Sequence, residues 1–381
     1  MQSDLKVMDG ANNSTGCLNV LSRLLLRVDD NKITASSNGE IAPSDSTQAV
    51  SQAVATYGRQ DFGELWGLAS SHHVIMRAFP RLHGLLVAQG NEGAEWVDHA
   101  VEKERARIDL ALSFLSPICQ ALEQAGDVIV IKSLDHWPDL GSDMDLYTNA
   151  EGADVVAIMR DRFEAVVAER SWGDRLANKW NFVVPGLPEL VEVHVGRLGQ
   201  TGEQVAVTNS LVARSGAAQV GSHVFRVPAA EDRLIISTLQ RMYRHFYLRL
   251  CDVVDTARLV DSGTVDYVYL RSLARSAGLW DGLASYLVTV SGYVQSYRGT
   301  GLDLPDLVSN AARFGNERVR FRRRFLRIPI FPQAATLYAS EWKRLLLNGE
   351  LQNALRLSLL PGLAAAAAIE LKITGSDKGI W

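Results

Sequence analysis

Between Asp127 and Gly196 the hydrophobic period of this chain changes, and that change narrows the folds open to it. Upstream, "ELWGLASSHHVIMRAFPRL" and "EWVDHAVEKERARIDLALSFLSPICQALEQAG" repeat apolar residues at spacings of three and four, the stripe of an amphipathic helix. Gly126 is expected to stop the second helix. Four short runs follow that are too brief for helices and rich in β-branched residues: "DVIVIK" (127–132), "SDMDLYT" (142–148), "NFVVPG" (181–186) and "ELVEVHVG" (189–196). "ADVVAIMRDRFEAVVAER" reads as an amphipathic helix between the second and third, and "SHVFRVP" (222–228) offers a last strand. From Ala230 the helical period returns, most clearly in "EDRLIISTLQRMYRHFYLRLCDVVDTARLVDSG". A few strands enclosed by helices predict an α+β chain with a small mixed sheet. Residues 1–60, rich in Ser, Asn, Gly and Asp, show no sustained period and are expected to be a flexible or loosely attached lead-in. The expected order is then an N-terminal helical region (61–126), an α/β core (127–228) and a C-terminal helical domain (229–381).

The 381 residues suffice for a sizeable core, and a net charge of −4 argues against wholesale nucleic-acid binding. Cys17, Cys119 and Cys251 are far apart and lack metal-ligand spacing, which fits a reducing compartment. The first residues hold Asp4, Lys6 and Asp9 without an apolar core, so no secretory signal is expected. The longest apolar run, 357–371, is too short to span a bilayer and carries Pro361 and Glu370. A cytoplasmic protein is the expectation. Six arginines between Arg318 and Arg327, interleaved with Phe and Leu, suit either a solvated helix or contact with an anionic partner. With 357–371 nearby, a peripheral membrane contact through 318–371 stays open.

Within this frame "GSDMDLYT" is unusual. Side chains two apart on a strand share a face, so Asp143 and Asp145 project together while Met144 and Leu146 point into the core. Two carboxylates so held repel unless a cation neutralises them, and hard oxygen ligands suit Mg²⁺ or Mn²⁺, with phosphate oxygens completing the shell. A strand end with both acids simply in water is the alternative. On the C-terminal helix Arg241, Arg244, His245 and Arg249 recur at three and four, with Asp252 and Asp255 continuing that side. Facing a triphosphate, Arg241 and His245 would offset its charge; facing water, they form an ordinary salt-bridged surface.

A hydrophobic strand ending in a small pair, "VIVIKS", followed by Ser-Asp-hydrophobic-Asp, resembles the signature of the polymerase-beta-like nucleotidyltransferase superfamily. The wider chain resembles its bacterial uncharacterised-nucleotidyltransferase family. The likeness lies in "LASSHHVIMRAFPRL", "LEQAGDVIVIKS", "VEVHVG" and "RMYRHFYLRLCDVVDTARLV", and covers roughly 62–262. It implies a nucleotidyltransferase core moving an NMP group from an NTP to an acceptor, with Mg²⁺ or Mn²⁺ on Asp143 and Asp145. Glu192 would be third ligand or base, with His194 beside it on the same strand face. Lys132, Ser133 and Ser142 would hold phosphate. Lys132 as a simple strand cap is the competing reading. His136 and Trp137 are expected at the pocket mouth, Trp137 stacking a base or sugar or else packing in the core. Ser133 stands where glycine is usual, and Asp139 where many relatives carry arginine. The acceptor is unspecified; the negative charge favours a small molecule over nucleic acid. The rival functions are a non-catalytic nucleotide-binding scaffold of this fold and a D-x-D metal-dependent glycosyltransferase.

Overall fold

The computed structural model describes residues 3–26, 45–315, 319–328 and 332–374. Five helices come first: α1 (Ser3–Leu25), α2 (Asp45–Val54), α3 (Arg59–Ser71), α4 (Ile75–Ala88) and α5 (Gly93–Leu122). The core region alternates β1 (Val128–Val130), β2 (Met144–Thr148), α6 (Gly152–Phe163), β3 (Val166–Val167), α7 (Trp172–Leu176), β4 (Lys179–Val183), β5 (Val191–Val195) and α8 (Val205–Arg214). A hairpin, β6 (Gly216–Val220) and β7 (His223–Val227), leads into α9 (Ala230–Thr238). A π-helical segment (Leu239–His245) and β8 (Tyr247–Leu248) follow. Then come α10 (Leu250–Asp261), α11 (Tyr267–Ser276), α12 (Trp280–Arg298) and α13 (Asp306–Ser309). A second hairpin, β9 (Arg320–Arg322) and β10 (Phe325–Arg327), precedes α14 (Gln333–Leu347), α15 (Leu351–Ser358) and α16 (Leu360–Thr374). The chain is α+β, with a small mixed sheet between helical regions at both ends.

The main sheet has the order β1-β2-β5-β4-β3, and only β2 and β5 run parallel. Strand alternation sorts its faces. Met144, Leu146, Val191, Val193 and Val195 join α5 and α6 in one buried cluster. Ile129, Ile131 and Tyr147 turn the other way, into a larger cluster. That larger cluster draws on α1–α4 and on α9–α12 together, so the two helical ends share one core. The run 222–228 is a strand, as expected, but in a separate two-stranded sheet with β6.

Three expectations need correction. Residues 1–60 are not simply a loose lead-in: Cys17, Leu21, Leu26, Val50 and Val54 are buried in the helical core, although residues 27–44 lie outside the described residues. The arginine-rich stretch is not a helix. Its described part is the β9–β10 hairpin, with Arg323 and Arg324 at the turn at φ 49° and 64°, paired through β10 to β8. Finally, α5 ends at Leu122, before Gly126. Gly126 serves close approach instead, because a Cβ there would lie 2.8 Å from the backbone nitrogen of Ala150. Among the described residues no helix is long and apolar enough to cross a membrane.

Candidate active site

The parallel pairing of β2 with β5 sets Asp145 directly opposite Glu192 and Tyr147 opposite His194. Because both strands alternate, Asp145, Glu192 and His194 emerge on one face, with carboxylate and imidazole atoms all within 4.8 Å of one another. Asp143 lies just before β2. Burial, and then the charges of Asp145 and Glu192, push its carboxyl up to about 6. Burial is the largest cause of that rise, and the two neighbouring acids add to it against the opposing pull of Lys132 and Lys179.

Two ammonium groups reach into this cluster. Lys132 Nζ donates to Asp145 Oδ1 at 2.6 Å and to Glu192 Oε1 at 3.4 Å, and lies 3.3 Å from His194 Nε2. Burial would lower the Lys132 pKa, but Asp145 and Glu192 outweigh it and hold it above its ordinary value. Lys179, on β4, donates to Glu192 Oε2 at 3.0 Å and pairs with Asp174 at 2.8 Å. Burial works to raise the Glu192 pKa, yet Lys132, the His194 hydrogen bond and Lys179 together hold it well below the usual carboxylate range. Glu192 is therefore held firmly ionised, a state that suits an oxygen ligand better than a general base. Lys132 adopts φ 58°, ψ −61°, a backbone conformation that costs a non-glycine residue about 1–3 kcal/mol.

Ser133 is not free to hold phosphate. It is 1 % exposed; its hydroxyl donates to the Asp143 carbonyl (2.7 Å) and accepts from the Asp145 N–H (2.8 Å), while its own N–H bonds the Ile131 carbonyl. The side chain thus fixes the backbone on either side of Met144, and so the spacing of the two aspartates. Ser142 is exposed, next to Asp143, on the rim of a groove of about 530 Å³. Trp66, Ser70, His73, Lys103 and Glu189 line that groove, with the Lys103 ammonium 5.1 Å from the Trp66 ring.

Four more expected residues lie elsewhere or are unsuited to the role. Arg241 is 1 % exposed and its Nε sits 2.8 Å from Asp252 Oδ2, so it is a buried ion pair rather than a cleft-facing cation. His136 is not at the pocket mouth but buried, its Nδ1 2.5 Å from Asp255 Oδ2. Asp255 also accepts from Arg77, and Arg77 reaches Asp139 at 2.7 Å. The His136–Cys251–Asp255 cluster is filled by this network, and Asp139 is one of its structural acids. Trp137 is half-buried and packs against the sheet core. His245 is mostly enclosed; burial, then Arg244, Arg241, Arg249 and Lys132, drive its pKa down to about 2, so it carries no charge to offer a phosphate.

Sequence reasoning missed Lys179, because the β-type run "NFVVPG" begins at Asn181, whereas the strand itself starts two residues earlier on the same face. From the basic run it favoured Arg241 and His245, whereas Arg244 is the member that lines a small pocket with Lys132, His194 and Gln200. No family model matches this chain, and no curated protein or solved structure matches it.

Proposed function

We propose that this protein is a metal-dependent nucleotidyltransferase that moves an NMP group from an NTP to a small-molecule acceptor. The observation that carries this reading is the convergence of Asp143, Asp145 and Glu192 at one end of the β2–β5 pair, with Asp143 raised to about 6 by burial and then by the two acids beside it. An oxygen-rich donor set with an unneutralised carboxylate fits Mg²⁺ or Mn²⁺. Asp143 and Asp145 would hold the ion, with Glu192 as third ligand. Bound there, the ion would supply charge neutralisation at the phosphates and a more nucleophilic acceptor oxygen. Lys132 and Arg244 provide positive charge beside the carboxylates, and the groove rimmed by Ser142 is the place for the acceptor. The depressed Glu192 supports a ligand role over that of base.

A second reading has its own observation. Lys132 and Lys179 already place ammonium groups on Asp145 and Glu192, as a scaffold that binds nucleotide without turning it over could. A glycosyltransferase is less well supported, since only one strand pair of the sheet is parallel. Incubation with each common NTP, Mg²⁺ or Mn²⁺ and a metabolite pool separates the three. Pyrophosphate release that is lost in Asp143→Asn and Asp145→Asn supports the transferase, UDP release the glycosyltransferase, and binding without product the scaffold. A cytoplasmic location is proposed on the three buried, unpaired cysteines. A peripheral membrane contact through 318–371 is proposed on exposed Leu347 at the end of α14 and exposed Leu351 and Leu355 on α15.

A further inference from the structure

The small sheet of β8, β10 and β9 carries a group of arginines that the carboxylate site does not use. Tyr247 and Phe325 stack across it with ring centroids 4.3 Å apart. The Arg327 guanidinium lies 5.1 Å from the Tyr247 ring and 5.7 Å from Phe325; Arg249 lies 6.0 and 5.9 Å from the same rings. Arg241 approaches Tyr247 from the interior at 5.5 Å. Four positive residues (Arg241, Arg249, Arg324 and Arg327) therefore border this sheet, and the only carboxylate paired with any of them among the described residues is Asp252, on Arg241.

We propose that this surface is a binding site for a phosphate-bearing ligand, held by Arg249 and Arg327 beside the Tyr247–Phe325 pair. The first support is unfulfilled hydrogen bonding. Arg249 Nε is buried without a hydrogen-bond partner. Orphaned donors of this kind are rare in native proteins and call for an acceptor, and guanidinium forks match phosphate oxygens. The second support is electrostatic. His245, whose ring centroid is 5.4 Å from that of Tyr247, is held neutral by burial and then by the surrounding cations, and His73 is lowered first by burial and then by Arg249. Arg249 Nη1 donates to His73 Nε2 at 2.7 Å, which leaves the proton of that ring on Nδ1.

The surface is also built rather than casual. His72 is fully buried; its Nδ1 accepts from the Leu250 N–H and its Nε2 donates to the Arg324 carbonyl, both at 2.8 Å. One side chain thus clamps the hairpin turn to the start of α10. Gly67 leaves room for the Arg324 guanidinium, since a Cβ there would come within 2.7 Å of Nη2. Through His73 and Gly67 the surface adjoins the groove that ends at Ser142. The phosphate could therefore belong to the donor's triphosphate or to a phosphorylated acceptor.

The test is calorimetric titration of the full chain with inorganic tripolyphosphate and, separately, orthophosphate, with a chelator present. Tripolyphosphate or orthophosphate should bind, and Arg249→Gln/Arg327→Gln should weaken that binding by about tenfold or more, one charge-assisted contact being worth about that much. Arg327→Gln alone leaves the His73 contact intact, so its loss of binding at an unchanged thermal midpoint separates ligand contact from folding. Arg313→Gln, which removes an exposed arginine paired with Asp281, should change nothing. Displacement of tripolyphosphate by metal-free NTP assigns the site to the donor; orthophosphate binding that NTP leaves untouched assigns it to an acceptor. The proposal is overturned if neither anion binds the wild type, or if the variants bind like it. Because no divalent ion is present, absent pyrophosphate release would sink the transferase reading and leave this site standing.

Discussion

Replacing Asp143 by asparagine should make the metal-free protein more stable, and the gain should depend on pH. Asp143 is held at about 6 instead of 3.8 by burial and by Asp145 and Glu192, so its ionisation opposes folding. The full difference corresponds to about 3 kcal/mol. Asp143 keeps some contact with solvent, which screens its neighbours, and about half that figure is the expectation. Below pH about 4 the carboxyl is protonated folded and unfolded, and no penalty exists. Between about 4 and 6 the unfolded chain loses its proton first, so the folded state binds more protons and stability falls as pH rises. Above about 6 the penalty is complete. In chelator, Asp143→Asn should therefore melt a few degrees above wild type at pH 8 and coincide with it near pH 4, as read by circular dichroism or scanning calorimetry. Added Mn²⁺ should reverse the order at pH 8, raising only the wild type. A variant less stable at pH 8, or a gain of equal size at both pH values, would refute the crowded-carboxylate account.

Other perturbations have equally definite outcomes. Arg241→Ala should cost about 3–5 kcal/mol in chemical denaturation, because it strands the buried carboxylate of Asp252. Ser133→Ala should lose about 1–3 kcal/mol and weaken Mn²⁺ binding, since the Asp143 carbonyl and Asp145 N–H lose the hydroxyl that fixes them; unchanged Mn²⁺ affinity would remove Ser133 from the site. For His136, burial opposes the charged form but Cys251 and Asp255 outweigh it and raise the pKa well above 6.5. Its contribution is complete below pH 6.5 and lost as pH rises through the folded value, so the wild type's stability margin over His136→Gln should shrink in alkaline buffer.

Much of the fold is written in short-range pattern. Alternation in "MDLYT" and "VEVHV" marks both strands and sorts their faces, because Met144, Leu146 and the three valines have only one side to bury. What pattern cannot supply is which strands become neighbours. That Asp145 faces Glu192 follows from a parallel pairing built across α6, β3, α7 and β4, and no local signal encodes it. The arginine face on the C-terminal helix failed for a different reason. The spacing of Arg241, Arg244, His245 and Arg249 assumes one continuous α-helix, but residues 239–245 are π-helical and Phe246 turns at φ 53°. Arg241 is thereby turned into the core, while Arg249 falls on a separate element. The second hairpin was hidden because its turn is Arg323–Arg324, with no glycine or asparagine to announce positive φ. At the N-terminus, "CLNVLSRLLL" does carry a helical stripe, but it is short and set in a Ser-, Asn- and Asp-rich stretch that masks it.

The balance of charge around Glu192 links the two functional readings. Asp143, Asp145 and Glu192 bring three carboxylates together, and Lys132 and Lys179 bring two ammonium groups, leaving the deficit on Asp143. A scaffold built to hold its acids neutral would place a cation there too, and among the described residues none pairs with Asp143. Lys179 is anchored from behind by Asp174, itself capped by Ser171, so it is a fixed counter-charge for Glu192. Lys132 has no such anchor: its contacts are all to the cluster itself, and its backbone is held in a costly conformation that aims it there. A lysine held only by the carboxylates is free to turn toward phosphate once another cation relieves it, whereas Lys179 is not. The asymmetry between the two lysines, together with the unpaired Asp143, is what a site that exchanges cations requires, and it favours the transferase reading over the scaffold.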